Sequence, residues 1–202
     1  MKNIIIFFLS VLLIGCNSSN TIEIKEDGLV IESYKIDQDS LRHGQTIKYY
    51  PSGQSFELST YVHGKLDGER LLYYENGNIE IKENYCLGMF CDTLTTYYPN
   101  GKKKFVGVYN HGIMTGMVKG FYQTGELKEE VTFIDNIEQG AFTEYYKNGQ
   151  KKWEGTYLNG PNEYGILTEY DTAGIKIKLM ECDTLAVCRT IWNADAPLMK
   201  NP

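Results

Sequence analysis

The sequence predicts an all-β fold of β-hairpins, each of about 24 residues, stacked side by side, and three regularities carry that prediction. Turn glycines recur at Gly53, Gly77, Gly101, Gly125, Gly149 and Gly174, at spacings of 24, 24, 24, 24 and 25 residues. Before the first five stands an aromatic pair, Tyr49-Tyr50, Tyr73-Tyr74, Tyr97-Tyr98, Phe121-Tyr122 and Tyr145-Tyr146, with Glu169-Tyr170 as a worn sixth. Eight residues after each of those five glycines comes another aromatic: Tyr61, Tyr85, Tyr109, Phe133 and Tyr157. A period in this range marks units that stack on their neighbours rather than fold around one closed core. Strand-sized runs separated by turns make each unit a hairpin.

Bulk properties agree with an ordered array. The 202 residues are 42% hydrophobic and include 16 tyrosines, which is no composition for a disordered tail. The net charge of -6 argues against nucleic acid or an anionic lipid surface as the main partner, because both call for a basic face.

The chain begins with an export signal over residues 1–15. Lys2 supplies a positive start, and Ile4 to Ile14 is an apolar run of eleven interrupted by Ser10, too short to cross a bilayer and of signal-peptide length. It ends in Leu13-Ile14-Gly15-Cys16, which resembles the bacterial lipoprotein box. That resemblance implies cleavage before Cys16, lipidation of its sulfur, and a mature protein anchored in the bacterial cell envelope, at either the inner or the outer membrane. Several acyl chains at one residue hold far more firmly than a single reversible one. Loss of Lys2 would leave 19 basic against 26 acidic residues, a charge of -7. Residues 16–20 are then a short polar tether.

Residues 21–42, with Gly28 and Tyr34, read as a degenerate opening repeat, residues 43–180 as the array, and residues 181–202, with Cys182, Cys188 and Trp192, as a C-terminal cap. Arrays need atypical ends because a terminal unit exposes an unpaired strand edge.

Within each unit the second run shows the clearest phase. Even positions from the turn glycine read Ser55, Glu57, Ser59, Tyr61 in the first unit and Lys151, Trp153, Gly155, Tyr157 in the fifth, while odd positions such as Glu80, Lys82, Lys128, Glu130, Lys152 and Glu154 are charged. Such alternation means one packed face and one wet face. The adjacent tyrosines must point to opposite faces, and we expect them to stack on their equivalents in the next unit. The residue before the turn glycine varies from Asn to branched Thr124, and only the glycine never changes. That pattern selects a type I turn closed by a left-handed glycine with a G1 bulge over a type I′ turn, which would need positive φ at the variable residue as well.

Export admits disulfides. Cys86 and Cys182 lie 96 residues apart, four repeats, so Cys86/Cys91 and Cys182/Cys188 occupy the same kind of inter-unit loop. The expected pairing is local, Cys86–Cys91 and Cys182–Cys188. A shared zinc site fails because the pairs would stand roughly 38 Å apart at about 4.8 Å per strand, and tetrahedral zinc gathers its ligands around one point.

Segments such as Tyr73-Tyr-Glu-Asn-Gly-Asn-Ile-Glu-Ile-Lys-Glu-Asn-Tyr85 and Tyr145-Tyr-Lys-Asn-Gly-Gln-Lys-Lys-Trp-Glu-Gly-Thr-Tyr157 resemble MORN repeats, specifically the bacterial variant described as an antitoxin component. The resemblance covers roughly residues 43–180. It implies an elongated, twisted antiparallel sheet used for protein binding. One departure stands out: where Gly68, Gly116 and Gly140 keep a glycine in the first strand of their units, the third unit has Asp92.

Catalytic signatures are missing. The sequence has no Gly-x-Ser-x-Gly, His-Glu-x-x-His or phosphate-binding loop, and Cys86 and Cys91 lack redox Cys-x-x-Cys spacing. His43, His63 and His111 each precede a glycine in an inter-unit turn and read as turn residues; His63 and His111 are two repeats, roughly 19 Å, apart, while His43 and His63 fall on one edge. No catalytic residue, cofactor or metal is therefore assigned. The expectation is a lipid-anchored scaffold that binds a protein partner through Tyr73, Tyr97, Phe105, Tyr109, Tyr145, Trp153 and Tyr157, because exposed rings among charges suit protein interfaces. An antitoxin or immunity protein that blocks one dedicated toxin is the alternative, and glycan stacking on the tyrosines is a third reading.

Overall fold

The structure, a computed structural model, describes residues 21–195. The expected export signal, Cys16 and the expected tether, together with residues 196–202, lie outside the described residues. Every regular element among the described residues is a strand: β1 (Thr21–Glu26), β2 (Leu29–Ile36), β3 (Arg42–Tyr49), β4 (Ser55–Val62), β5 (Lys65–Tyr73), β6 (Ile79–Cys86), β7 (Met89–Phe90), β8 (Asp92–Tyr97) and β9 (Lys103–Asn110). Then follow β10 (Ile113–Met114), β11 (Gly116–Phe121), β12 (Leu127–Ile134), β13 (Ile137–Tyr145), β14 (Lys151–Tyr157), β15 (Glu163–Tyr170), β16 (Lys176–Cys182) and β17 (Cys188–Asn193). Each pairs antiparallel with its chain neighbours, so the sheet is a meander; the short β7 and β10 begin strands that β8 and β11 continue. This is the stacked-hairpin sheet that the glycine spacing predicts.

The turns explain the period. At the first repeat the Gly53 N–H donates to the Tyr50 carbonyl at 2.8 Å, the Tyr50 N–H to the Gln54 carbonyl at 2.8 Å, and Gly53 has φ of 85°. The same bonds recur at Gly77, Gly101, Gly125, Gly149 and Gly174, and none of Ser52, Asn76, Asn100, Thr124, Asn148 or Ala173 takes positive φ. The glycine-closed type I turn is thus the one that forms. The opposite edge uses type I′ turns, in which both central residues have positive φ: His63-Gly64, Leu87-Gly88, His111-Gly112 and Asp135-Asn136. Its outer turns are wider, closing Asp37 onto Leu41 and Asp183 onto Val187.

One expectation is corrected. The turn-edge tyrosines of successive units do not stack on each other; the second member of each pair reaches forward with its phenol instead. Tyr50, Tyr74, Tyr98, Tyr122 and Tyr146 donate to the backbone carbonyls of Tyr73, Tyr97, Phe121, Tyr145 and Tyr170 at 2.6, 2.8, 2.8, 2.7 and 2.9 Å. Successive units stand about 10 Å apart, beyond ring contact at 4.5–7 Å yet within reach of a tyrosine arm crossing one strand. Each acceptor sits at a register shift, where the bulge breaks the ladder.

Register puts the residues at even positions from the turn glycine in each second strand on one face, here called the first face. Ser59 lies opposite Arg70 and Arg70 opposite Glu83, while further along Val118 lies opposite Val131, Val131 opposite Phe142 and Phe142 opposite Gly155. The buried apolar residues Val118, Val131, Phe142, Leu167 and Cys182 all belong to this face. No second layer covers them among the described residues, so the core is built sideways, strand against strand. In the first strand of each unit, Gly44, Gly68, Gly116, Gly140 and Gly165 all have positive φ, and Asp92 takes the same conformation at 64°. The departing residue adopts the geometry the glycines were selected for.

Candidate functional site

The first face changes character along its length. At the N-terminal end it is ionic. Arg42 forks onto Glu32 at 2.6 and 3.0 Å with its guanidinium 4.4 Å from the centre of the Tyr34 ring. Glu57, 2% exposed, accepts from Lys48 at 3.0 Å and from Arg70 at 3.0 and 3.1 Å, and Arg70 also donates to Glu83 at 2.8 Å. Burial alone would raise the Glu57 carboxyl, but Arg70 and Lys48 outweigh it and hold it at about 2. Beside this network the Thr46 and Ser59 hydroxyls are buried with no hydrogen-bond partner.

At the C-terminal end the same face is apolar and opens into a cavity of about 330 Å³ lined by Phe142, Glu144, Trp153, Tyr157, Glu163, Leu167, Met180 and Cys188. Its construction follows from the register. Gly155 lies opposite Phe142, and a Cβ there would come within 2.9 Å of Phe142 and 3.0 Å of Leu167. The missing side chain lets the Phe142 ring lie flat against Tyr157, at a centroid distance of 4.1 Å and 13° between planes. Burial, followed by the charges of Glu163, Glu138, Glu144 and Glu129, pushes the Tyr157 phenol up to about 12. Glu144 has an exposed ion pair with Lys152 at 3.3 Å, while Glu138 and Glu163 form none among the described residues. The result is an aromatic hollow with a surplus of negative charge at its rim.

The predicted binding residues do not share one surface. Phe105, Tyr109, Trp153 and Tyr157 lie on the first face, where Tyr109 makes an edge contact with Phe90 at 4.5 Å and Phe90 with Tyr85 at 5.4 Å. Tyr73, Tyr97 and Tyr145 project from the other face. There Tyr73 borders a shallow depression with Leu58, and Tyr145 donates to Glu130 at 3.0 Å. The structure thus brings together Trp153 and Tyr157 and separates them from Tyr73, Tyr97 and Tyr145. Sequence reasoning missed Phe142, Glu163, Leu167 and Met180, because this row changes residue type from unit to unit (Thr46, Arg70, Leu94, Val118, Phe142, Leu167) and gives no periodic signal.

Both disulfides form as the spacing predicts. Cys86–Cys91 and Cys182–Cys188 close turns on one edge, with Cα separations of 5.9 and 3.9 Å. On that edge two histidines also meet. His43 and His63 have ring centroids 5.4 Å apart, and His63 Nδ1 lies 2.8 Å from Asp37 Oδ2. Asp37, which sequence reasoning passed over, fixes its other oxygen on the backbone N–H groups of Asp39 and Leu41 at 3.0 and 2.9 Å. The Leu41 N–H is the largest influence holding this carboxyl below its usual value; burial opposes it, and His63 and the Asp39 N–H add to it.

An open, laterally packed sheet of hairpin units defines a repeat protein whose surfaces, not an enclosed chamber, are available for recognition. The chain belongs to the MORN repeat variant family, which matches residues 42–63, 66–86, 93–111, 114–135 and 138–159, more than half of its length. No curated protein matches it. The family makes a repeat-built binding scaffold the function class.

Proposed function

We propose that the protein is a non-enzymatic scaffold, anchored through a lipid on Cys16 in the bacterial cell envelope, that binds a protein partner with the C-terminal half of its first face. One observation carries the reading: the cavity between Trp153 and Tyr157 combines a flat aromatic wall with the unpaired carboxylates Glu138 and Glu163 nearby. Large rings give contact area at low entropic cost, and an aromatic hollow rimmed by acid favours a Lys or Arg side chain by cation–π and charge attraction together. The anchor rests on the resemblance of Leu13 to Cys16 to a lipoprotein box.

Affinity capture from envelope extracts tests the binding. Wild type is expected to retain a partner that Trp153→Ala loses by tenfold or more and that Tyr145→Ala, on the opposite face, retains; equal retention by wild type and Trp153→Ala would refute the cavity. A single stoichiometric toxin would mark the immunity alternative, and glycan fragments in place of protein would replace both readings. Labelled fatty acid should enter wild type and not Cys16→Ser.

A further inference from the structure

We propose that Asp37, His43 and His63 form a binding site for a divalent first-row transition ion, with zinc as its reference ligand. The three residues come from consecutive stretches of chain on one edge: Asp37 follows β2 and opens the turn to β3, His43 lies in β3, and His63 begins the turn after β4. One donor atom from each lies within 4.8 Å of the other two. Ligands around tetrahedral zinc stand about 3.4 Å apart for bonds of about 2.0–2.1 Å, so a small rotation of exposed imidazoles closes the set. Two imidazoles and a carboxylate are the donors that suit such ions, in contrast to the all-oxygen sets of calcium or magnesium.

The carboxylate is held in advance. Two backbone N–H groups fix Oδ1 of Asp37, leaving Oδ2 turned toward His63. Both imidazoles are exposed, which leaves room for water at the remaining coordination positions, and the neighbouring Arg42 guanidinium is tied to Glu32.

The repeat supplies an internal control. His111 occupies the same turn position as His63, with φ of 50° against 45°. Yet the residue twenty positions before His111 is Cys91, committed to Cys86, where His63 has His43. Among the described residues no carboxylate is held beside His111; its ring bonds to Asn110. A surface histidine at the equivalent turn two repeats later is therefore present without the other two ligands.

Calorimetric titration of the full chain in detergent micelles with zinc chloride tests the site. The expected result is one saturable site, weakened at least tenfold in His43→Ala and in His63→Ala and unchanged in His111→Ala. Cobalt titrated in place of zinc should give d–d absorption that the same two variants lose, and circular dichroism of each variant checks that the sheet is intact. Absence of saturable binding to folded wild type, or affinity unaltered by His43→Ala and His63→Ala, or an equal loss in His111→Ala, would overturn the assignment.

Discussion

The two ends of the first face are built on the same repeat and held by different forces. Across the strands from Glu32 to Glu83 this face is held by bonded charges beside the buried hydroxyls of Thr46 and Ser59, whereas from Val118 to Cys182 its buried residues are apolar and pack by contact. Equivalent positions make the contrast sharp: Arg70 becomes Phe142 three repeats later, and Ser59 becomes Gly155 four repeats later. The turn edge is the same in both regions, with five phenol–carbonyl bonds of nearly constant length. Backbone turns and the tyrosine ladder therefore define the sheet, and its inward row is free to vary. Recognition has room to evolve in such a row without loss of the fold.

The largest expected effects come from removing the centre of each region. Phe142→Ala should cost about 4 kcal/mol and the loss should not change with pH. Glu57→Gln should cost about 3 kcal/mol at neutral pH, because it strands Arg70 and Lys48 beside a weaker acceptor. Glu57 is depressed in the folded state to about 2 from 4.5, so its contribution is full above about pH 4.5 and is lost as pH falls toward 2. The stability gap between wild type and Glu57→Gln should close over that window, as read by urea unfolding at stepped pH. A gap that persists at low pH would mean that packing, not charge, holds the N-terminal half.

Gly155→Ala comes next. Its Cβ would press on Phe142 and Leu167, so about 2 kcal/mol should be lost and the Phe142–Tyr157 stack disturbed, visible in near-ultraviolet circular dichroism. The equivalent change in the N-terminal half, Ser59→Ala, deletes a buried hydroxyl that has no partner and should be neutral or slightly stabilising.

The turn edge should show no such asymmetry. Tyr50→Phe and Tyr146→Phe each strand one carbonyl and should each cost about 1 kcal/mol; a large difference between them in thermal unfolding would show that the ladder is not uniform. The smallest effect is a gain. Asp92→Gly removes a left-handed non-glycine backbone and should stabilise by up to about 1 kcal/mol, measurable as a raised melting temperature.

Much of this was legible before any coordinates. Gly53 and its equivalents named the turn because a left-handed residue can be supplied at one fixed position by glycine alone without strain. Cys86 and Cys182, four repeats apart, named their own partners, because a regular strand spacing converts sequence distance into space. The aromatic pairs announced a ladder, but its chemistry was misread: spacing along the chain does not say whether a ring or its hydroxyl makes the inter-unit contact. The binding residues were legible as a type and illegible as a place, since Tyr145 and Trp153 differ only in which face their strand position presents.

Periodicity alone determined the hairpin unit, the turn and the local disulfides, because each depends on residues close in sequence and is repeated until it stands above noise. Tertiary structure alone decided that Phe142, Leu167 and Met180 line an open cavity with Trp153 and Tyr157, and that Asp37 joins His43 and His63. Those groups come from different strands, occur once, and are brought together by register, which aligns residues across the sheet without leaving a mark in the chain's own order.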